Sequence, residues 1–271
     1  MMAPAIPRRS AILPRRQTAW LAFLPGLLLL TLPPYSHATE CQLSDQHEGL
    51  SFPVHQIEPA WRCHLQPIIT DYTTVGTTGP VQTPLSAALY SYFLDRPVVT
   101  AALAQRLGIG PFQASVRGPN QFWVNDGDGT QGLLTLLHQD GAIRIYHVDG
   151  FHEGRIFPMV KAQAVVFMTM RPAQDRTGHD SVETTLVSYV KLESRMWSAL
   201  VALLRPLVGD AITRKLARGF DATNQLSQLI AQDRSRILRD AEAPPLLSPD
   251  ELESLKLALQ GAPRASGPSQ P

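Results

Sequence analysis

Arg144, Tyr146 and His147 stand close together in a stretch, 142–148, whose alternation of apolar and polar residues reads as a β-strand. Residues two apart share a face of a strand, so Arg144 and Tyr146 face one way while His147 faces the other with Ile143 and Ile145. An imidazole on an apolar face can hydrogen-bond a ligand head group or move a proton, with Tyr146 and Arg144 as acid, base or anion support. It can equally be a structural histidine satisfied inside a core, and His138 has the same two readings. No carboxylate or nucleophile stands at a fixed spacing that would complete a catalytic set. These three residues are therefore candidates only, and no catalytic residue is assigned.

Other polar clusters are less specific. Asn125-Asp126-Gly127-Asp128-Gly129 has the look of a calcium loop, but it lacks the alternate ligands and the distant glutamate of an EF-hand, so it reads as a glycine-rich turn between strands. His147, His152 and Glu153 do not make the helical His-Glu-x-x-His arrangement, and no metal site is assigned. Neither a Gly-x-Ser-x-Gly elbow nor a phosphate-cradling Gly-x-x-x-x-Gly-Lys occurs, and nothing calls for a cofactor.

The elements that must position any site are better marked. Apolar residues recur at Trp197, Leu200, Val201, Leu204, Val208, Ile212, Leu216, Phe220, Leu226 and Ile230, steps of three and four that predict a long amphipathic helix over 194–233. Pro206 predicts a kink in it near Arg205. Two short helices are expected over 83–107, the first capped at Thr83 and carrying Leu85, Leu89, Tyr92 and Phe93, the second opened by Pro97. Strands are expected at 112–116, 121–124, 132–138, 142–148, 159–170 and 181–192, each bounded by turn residues. In the last two, Val160, Ala162, Ala164, Val166, Met168 and Met170 share a face, as do Val182, Thr184, Leu186, Ser188 and Val190. Lys161, Gln163, Arg171, Glu183 and Lys191 lie opposite, which predicts one face inward and one toward water.

The expected fold class is thus α+β: an antiparallel sheet preceded by two short helices and covered by one long, Pro-kinked C-terminal helix. This order resembles the START-like superfamily, the helix-grip fold, over residues 83–233, with a first strand contributed from 51–57. The resemblance lies in layout and not in an invariant motif. It implies a curved sheet gripping its last helix, with a cavity between them for a lipid, sterol or other apolar molecule. On that picture Val166, Met168, Leu186 and Ser188 from the strands and Trp197, Leu200, Leu204 and Val208 from the helix bind the ligand, with Met159, Met168, Met170 and Met196 as adaptable lining. The alternatives are an enzyme on the same scaffold, cyclase- or hydrolase-like, and a protein-interaction module whose core is fully packed. Arg205, Arg214, Lys215 and Arg218 beside the helical stripe would flank a pocket mouth and meet an anionic head group or a membrane surface, or form only a solvated face.

Composition sets the remaining bounds. At 271 residues, 44% hydrophobic and 17% charged, the chain suits one main domain with extensions. Residues 1–38 read as a secretory signal peptide: Arg8, Arg9, Arg15 and Arg16, then an apolar run, then Ser36-His37-Ala38 as a cleavage site. An uncleaved anchor is the rival, although the apolar run is short for a membrane span. Cleavage would remove four arginines and no acid, shifting the formal charge from +1 to −3, which argues against a nucleic-acid partner. Cys41 and Cys63, met just after that point by a chain bound for a periplasmic or extracellular compartment, predict a disulfide. A metal site with His47, His55 or His64 is the rival, but it lacks Cys-x-x-Cys spacing. Residues 39–80 read as a loop-rich lead-in, 81–240 as the START-like domain, and 241–271 as a short helix, begun by Ser248, Pro249 and Glu251, and a disordered tail.

Overall fold

The structure of the chain, a computed structural model, describes residues 41–154, 159–193, 205–243 and 247–261, with the backbone alone over 205–217. The elements in order are the two-residue strands β1 (Gln46–His47) and β2 (Leu50–Ser51), a 3-10 turn (Val54–Gln56), α1 (Pro59–Thr70), β3 (Thr74–Thr83), α2 (Ala87–Asp95) and α3 (Pro97–Arg106). Then come β4 (Gln113–Gly118), β5 (Gln121–Asn125), β6 (Thr130–Gln139), β7 (Ile143–His152), β8 (Val160–Gln174), β9 (Asp180–Leu192), α4 (Arg205–Gln232), α5 (Arg234–Ala241) and α6 (Pro249–Gly261). No described helix is long and apolar enough to cross a membrane.

Seven strands form one antiparallel sheet in the order β3-β9-β8-β7-β6-β5-β4. Turn chemistry explains why consecutive strands pair. Asp140 Oδ1 accepts from the amides of Ala142 and Ile143, and Asp175 Oδ1 accepts from those of Thr177 and His179, closing the β6–β7 and β8–β9 hairpins. The first strand of the sheet is β3, not residues 51–57 as expected. Thr74-Val75-Gly76-Thr77-Thr78-Gly79-Pro80 hides it, because the glycines and proline read as a loop. An edge strand tolerates them: the register shifts between Thr78 and Val81, and at Gly79, φ +111°, an added Cβ would lie 2.6 Å from the carbonyl oxygen of Thr184.

The expectation that the outer face meets water is overturned over its central part. Ile145, Val165, Phe167 and Val187 are fully buried there beneath Phe52, Val54, Ile57, Leu65 and Ile68 of the lead-in. The lead-in is therefore not loop-rich. Pro59 opens a twelve-residue helix whose Leu65 and Ile68, three apart, face the sheet. Each such side chain removed from water contributes about 2 kcal/mol, enough to fix a short helix that would not persist alone. The Cys41–Cys63 disulfide is present and ties the start of this layer to α1.

The inner face carries the second core. Leu89, Tyr90 and Phe93 of α2, Val99 and Leu103 of α3, and Phe220, Leu226 and Ile230 of α4 meet Met168, Met170 and Val182, with α5 and α6 closing the far side. The first cap differs from expectation. Ser86, not Thr83, accepts from the Leu89 amide at the start of α2, while the Thr83 hydroxyl donates to Asn224 Oδ1 of α4 at 2.9 Å. The start of α6 follows expectation: Ser248 Oγ accepts from the Glu251 amide and Glu251 Oε2 from the Ser248 amide. Pro206, where a kink is expected, is the second residue of α4, and residues 194–204 before it lie outside the described residues, as do 1–40 and 262–271 with their expected signal and tail.

Candidate functional site

A cavity of about 730 Å³ lies between the inner face of β4–β9, helix α3 and helix α4. Its floor follows from the register. Gly132 of β6 pairs with Gly150 of β7, Gly150 with Ala162 of β8, and Ala162 with Leu192 of β9, so one row across the sheet is nearly without side chains. The next row, Leu134, Val148, Ala164 and Val190, is small only at Ala164. The two glycines are there of necessity, since a Cβ on Gly132 would come within 2.6 Å of the Asp149 carbonyl oxygen and one on Gly150 within 2.7 Å of that of Gln131. Phe220 and Thr223 of α4 line the same hollow, together with Pro97, Thr100, Ala101 and Ala104 of α3. Close packing fills most interiors, so a hollow of this size bounded by apolar side chains is the default place for a ligand.

Of the residues expected to bind, Val166, Met168 and Leu186 line the cavity. Ser188 shares their face but is buried against β3, its hydroxyl donating to the Gly76 carbonyl at 3.4 Å, and it is not part of the lining. Trp197, Leu200 and Leu204 lie outside the described residues, as do Met196 and the side chain of Val208. Met170 belongs to the packed core and Met159 is half-exposed, so only Met168 of the expected methionines lines the hollow among the described residues. The lining residues not named as ligand contacts from the sequence are chiefly Val124, Leu134, Val148, Ala162 and Ala164, while Tyr146, a candidate for chemistry, also lines the hollow. Ala162 and Ala164 were legible as inward-facing; their smallness was the unused signal.

No family model and no curated protein matches this chain. Among solved structures it is similar to a conserved protein from Geobacillus kaustophilus, at 9% identity and a TM-score of 0.40, over 56% of this chain and 93% of that one. An uncharacterized protein from Rhizobium leguminosarum is similar at 13% identity and a TM-score of 0.28, over 58% of this chain and 97% of that one. Likeness at this level assigns neither fold nor function.

The three candidates of the central strand are divided by the sheet. Tyr146 lines the cavity, and beneath it Arg144, only 2% exposed, pairs with Asp95 at 2.5 Å and donates to Gln139 Oε1 at 3.0 Å. Burial works against the charge of Arg144, yet the hydrogen bond and charge of Asp95 prevail and hold the guanidinium above its ordinary pKa. Burial pushes the Tyr146 phenol up, and the neighbouring Arg144 offsets part of that rise. His147 is on the other face, 4% exposed, with Trp61 and His64 of α1 at ring-centroid distances of 5.3 and 4.9 Å. Burial, aided by His64, lowers its pKa to about 4. With the sheet between them, His147 and Tyr146 do not act on one molecule. The imidazole is a buried neutral group under the lead-in, not an acid or base of the cavity.

At the end of the cavity away from Tyr146 the lining is polar. His152 Nδ1 and the Thr130 hydroxyl lie 3.0 Å apart, beside Asn125 and Gln131. Arg218 of α4, one of the four cations expected near a mouth, reaches Asp128 at 2.7 Å and Asp126 at 3.6 Å on the β5–β6 turn; the side chains of the other three are not described. That turn is built by its own side chains: Asn125 Oδ1 accepts from the Gly127 amide, and Asp126 Oδ1 from those of Asp128 and Thr130. Its carboxylates thus cap a hairpin and clasp the long helix. His138 Nε2 lies 3.5 Å from Asp140 at the β6–β7 turn, away from the cavity lining.

Proposed function

We propose that this protein is an exported, non-catalytic binding or carrier protein for a small apolar or lipidic molecule, held between the sheet and its C-terminal helix on a helix-grip, START-like scaffold. The observation that carries the reading is the apolar hollow over the row Gly132, Gly150, Ala162. Its volume is in the range of sites that enclose a drug-sized molecule, and its walls are mostly apolar, aliphatic and aromatic, so the attraction is removal of ligand surface from water at roughly 25 cal/mol per Å² before ordering losses. The order of β3, the helical pair, six further strands and the long helix supports the scaffold assignment. The disulfide supports export to a periplasmic or extracellular space, since such bonds persist in oxidising compartments.

The reading is tested by native mass spectrometry of the mature protein purified from its exported form, followed by solvent extraction. The expected result is a stoichiometric added mass that extraction removes and identifies as an apolar molecule. A ligand-free mass, together with no uptake of the uncharged dye Nile red, would defeat it.

A further inference from the structure

We infer that the cavity takes an uncharged amphiphile, an elongated apolar body with a hydroxyl, carbonyl or ester group, and rejects the anionic lipids that a basic helix beside a pocket first suggests. The inference rests on the carrier reading and specifies the ligand class of the same site.

The argument is one of charge matching. A carboxylate or phosphate taken out of water must meet a cation that is not already engaged. The only cation on the described lining is Arg218, and both Asp126 and Asp128 stand within ion-pair reach of it, so its charge is matched before any ligand arrives. The next cation inward, Arg144, lies behind Tyr146, has Asp95 against it and is closed off from the hollow. On the described lining an anionic head group would therefore sit beside a carboxylate or have to break an existing pair. The other polar groups of the lining are differently placed. Tyr146, Val148, Gly150 and His152 alternate on the cavity face of β7, and six residues of strand put Tyr146 and His152 about 20 Å apart. Between these ends the floor is Val148, Gly150, Ala162 and Ala164, without a polar side chain. The lining thus offers an apolar trough with a phenol at one end and an imidazole, a hydroxyl and two carboxamides at the other. Such groups hydrogen-bond an alcohol, ketone or ester without the desolvation cost of a charge.

The test uses the full mature protein with Nile red bound, and competes it with 1-tetradecanol or with tetradecanoate at pH 8, both kept below aggregate-forming concentrations. These share one chain and differ in the charge of the head. The alcohol is expected to displace the dye at a concentration at least ten-fold lower than the carboxylate. A ratio under ten-fold, or failure of both to compete, overturns the inference while the bound dye still upholds a carrier. Absence of dye binding would instead remove the carrier reading on which it rests.

Discussion

Asp95→Ala should lower the unfolding free energy by about 3 kcal/mol, a large share of what a domain of this kind has to spare. Arg144 is 2% exposed, and its Nε already lies buried without a hydrogen-bond partner. Removing Asp95 leaves that guanidinium with two neutral described side-chain partners, Gln139 at 3.0 Å and the Tyr146 phenol. An uncompensated charge in such a place usually costs 3–5 kcal/mol; the lower end applies because Asp95 is itself about one-third exposed, at 35%, and water can enter where it stood. The Asp95→Ala, Arg144→Met double variant should recover part of the loss, since it removes the stranded charge as well. Urea denaturation reads both, and a single-variant loss below about 1 kcal/mol would show that the pair does not carry its charge in the way described.

The second large effect is acid sensitivity. The pKa of His147 is lowered from 6.5 to about 4, so between those values the unfolded chain binds a proton that the folded chain refuses. Stability contributed by the neutral imidazole is therefore complete above pH 6.5 and is lost as pH falls toward 4, by about 3 kcal/mol in all. His47, stacked on Phe167 at 4.1 Å and likewise lowered by burial, acts in the same direction. Among the described residues the groups facing His147 are Trp61 and His64 of α1, with the Asp149 carboxylate on its own strand acting against the lowering. Protonation thus weakens the seat of the lead-in on the outer face. In unfolding measured from pH 7 to 4, His147→Leu should lose markedly less stability than the natural chain. Parallel profiles for the two would refute the assignment of that acid loss to His147.

Both effects rest on features that are unevenly legible in the sequence. Strands β4 to β9 follow from alternation and from Gly, Asn and Asp at their ends, because the period of two and the chemistry of tight turns are local properties. The split between Tyr146 and His147 follows from the same period. The partner of Arg144 does not, since Asp95 is 49 residues away and only the docking of the helical pair brings it near. The lead-in was misread because α1 has just two fully buried apolar positions and a proline, Pro67, within its span. Its helix is fixed by the surface it covers and not by its own pattern. The cavity lay between these cases. Gly132, Gly150 and Ala162 are visible residues, but a glycine in a strand gives no sign of lying opposite another until the register is known, and that alignment makes the hollow.

The measurement that bears most directly on the carrier reading is Nile red titration of the mature protein against two variants that fill the hollow from its floor, Ala162→Trp and Val166→Phe. Each replaces a small or medium side chain of the lining by a large apolar one, which occupies ligand space without adding a polar group. Urea denaturation of all three proteins identifies the variant that keeps a cooperative fold. The account predicts saturable binding by the natural chain and an affinity at least ten-fold weaker in a folded variant. Equal affinity in both folded variants, or no binding by the natural chain, would contradict it.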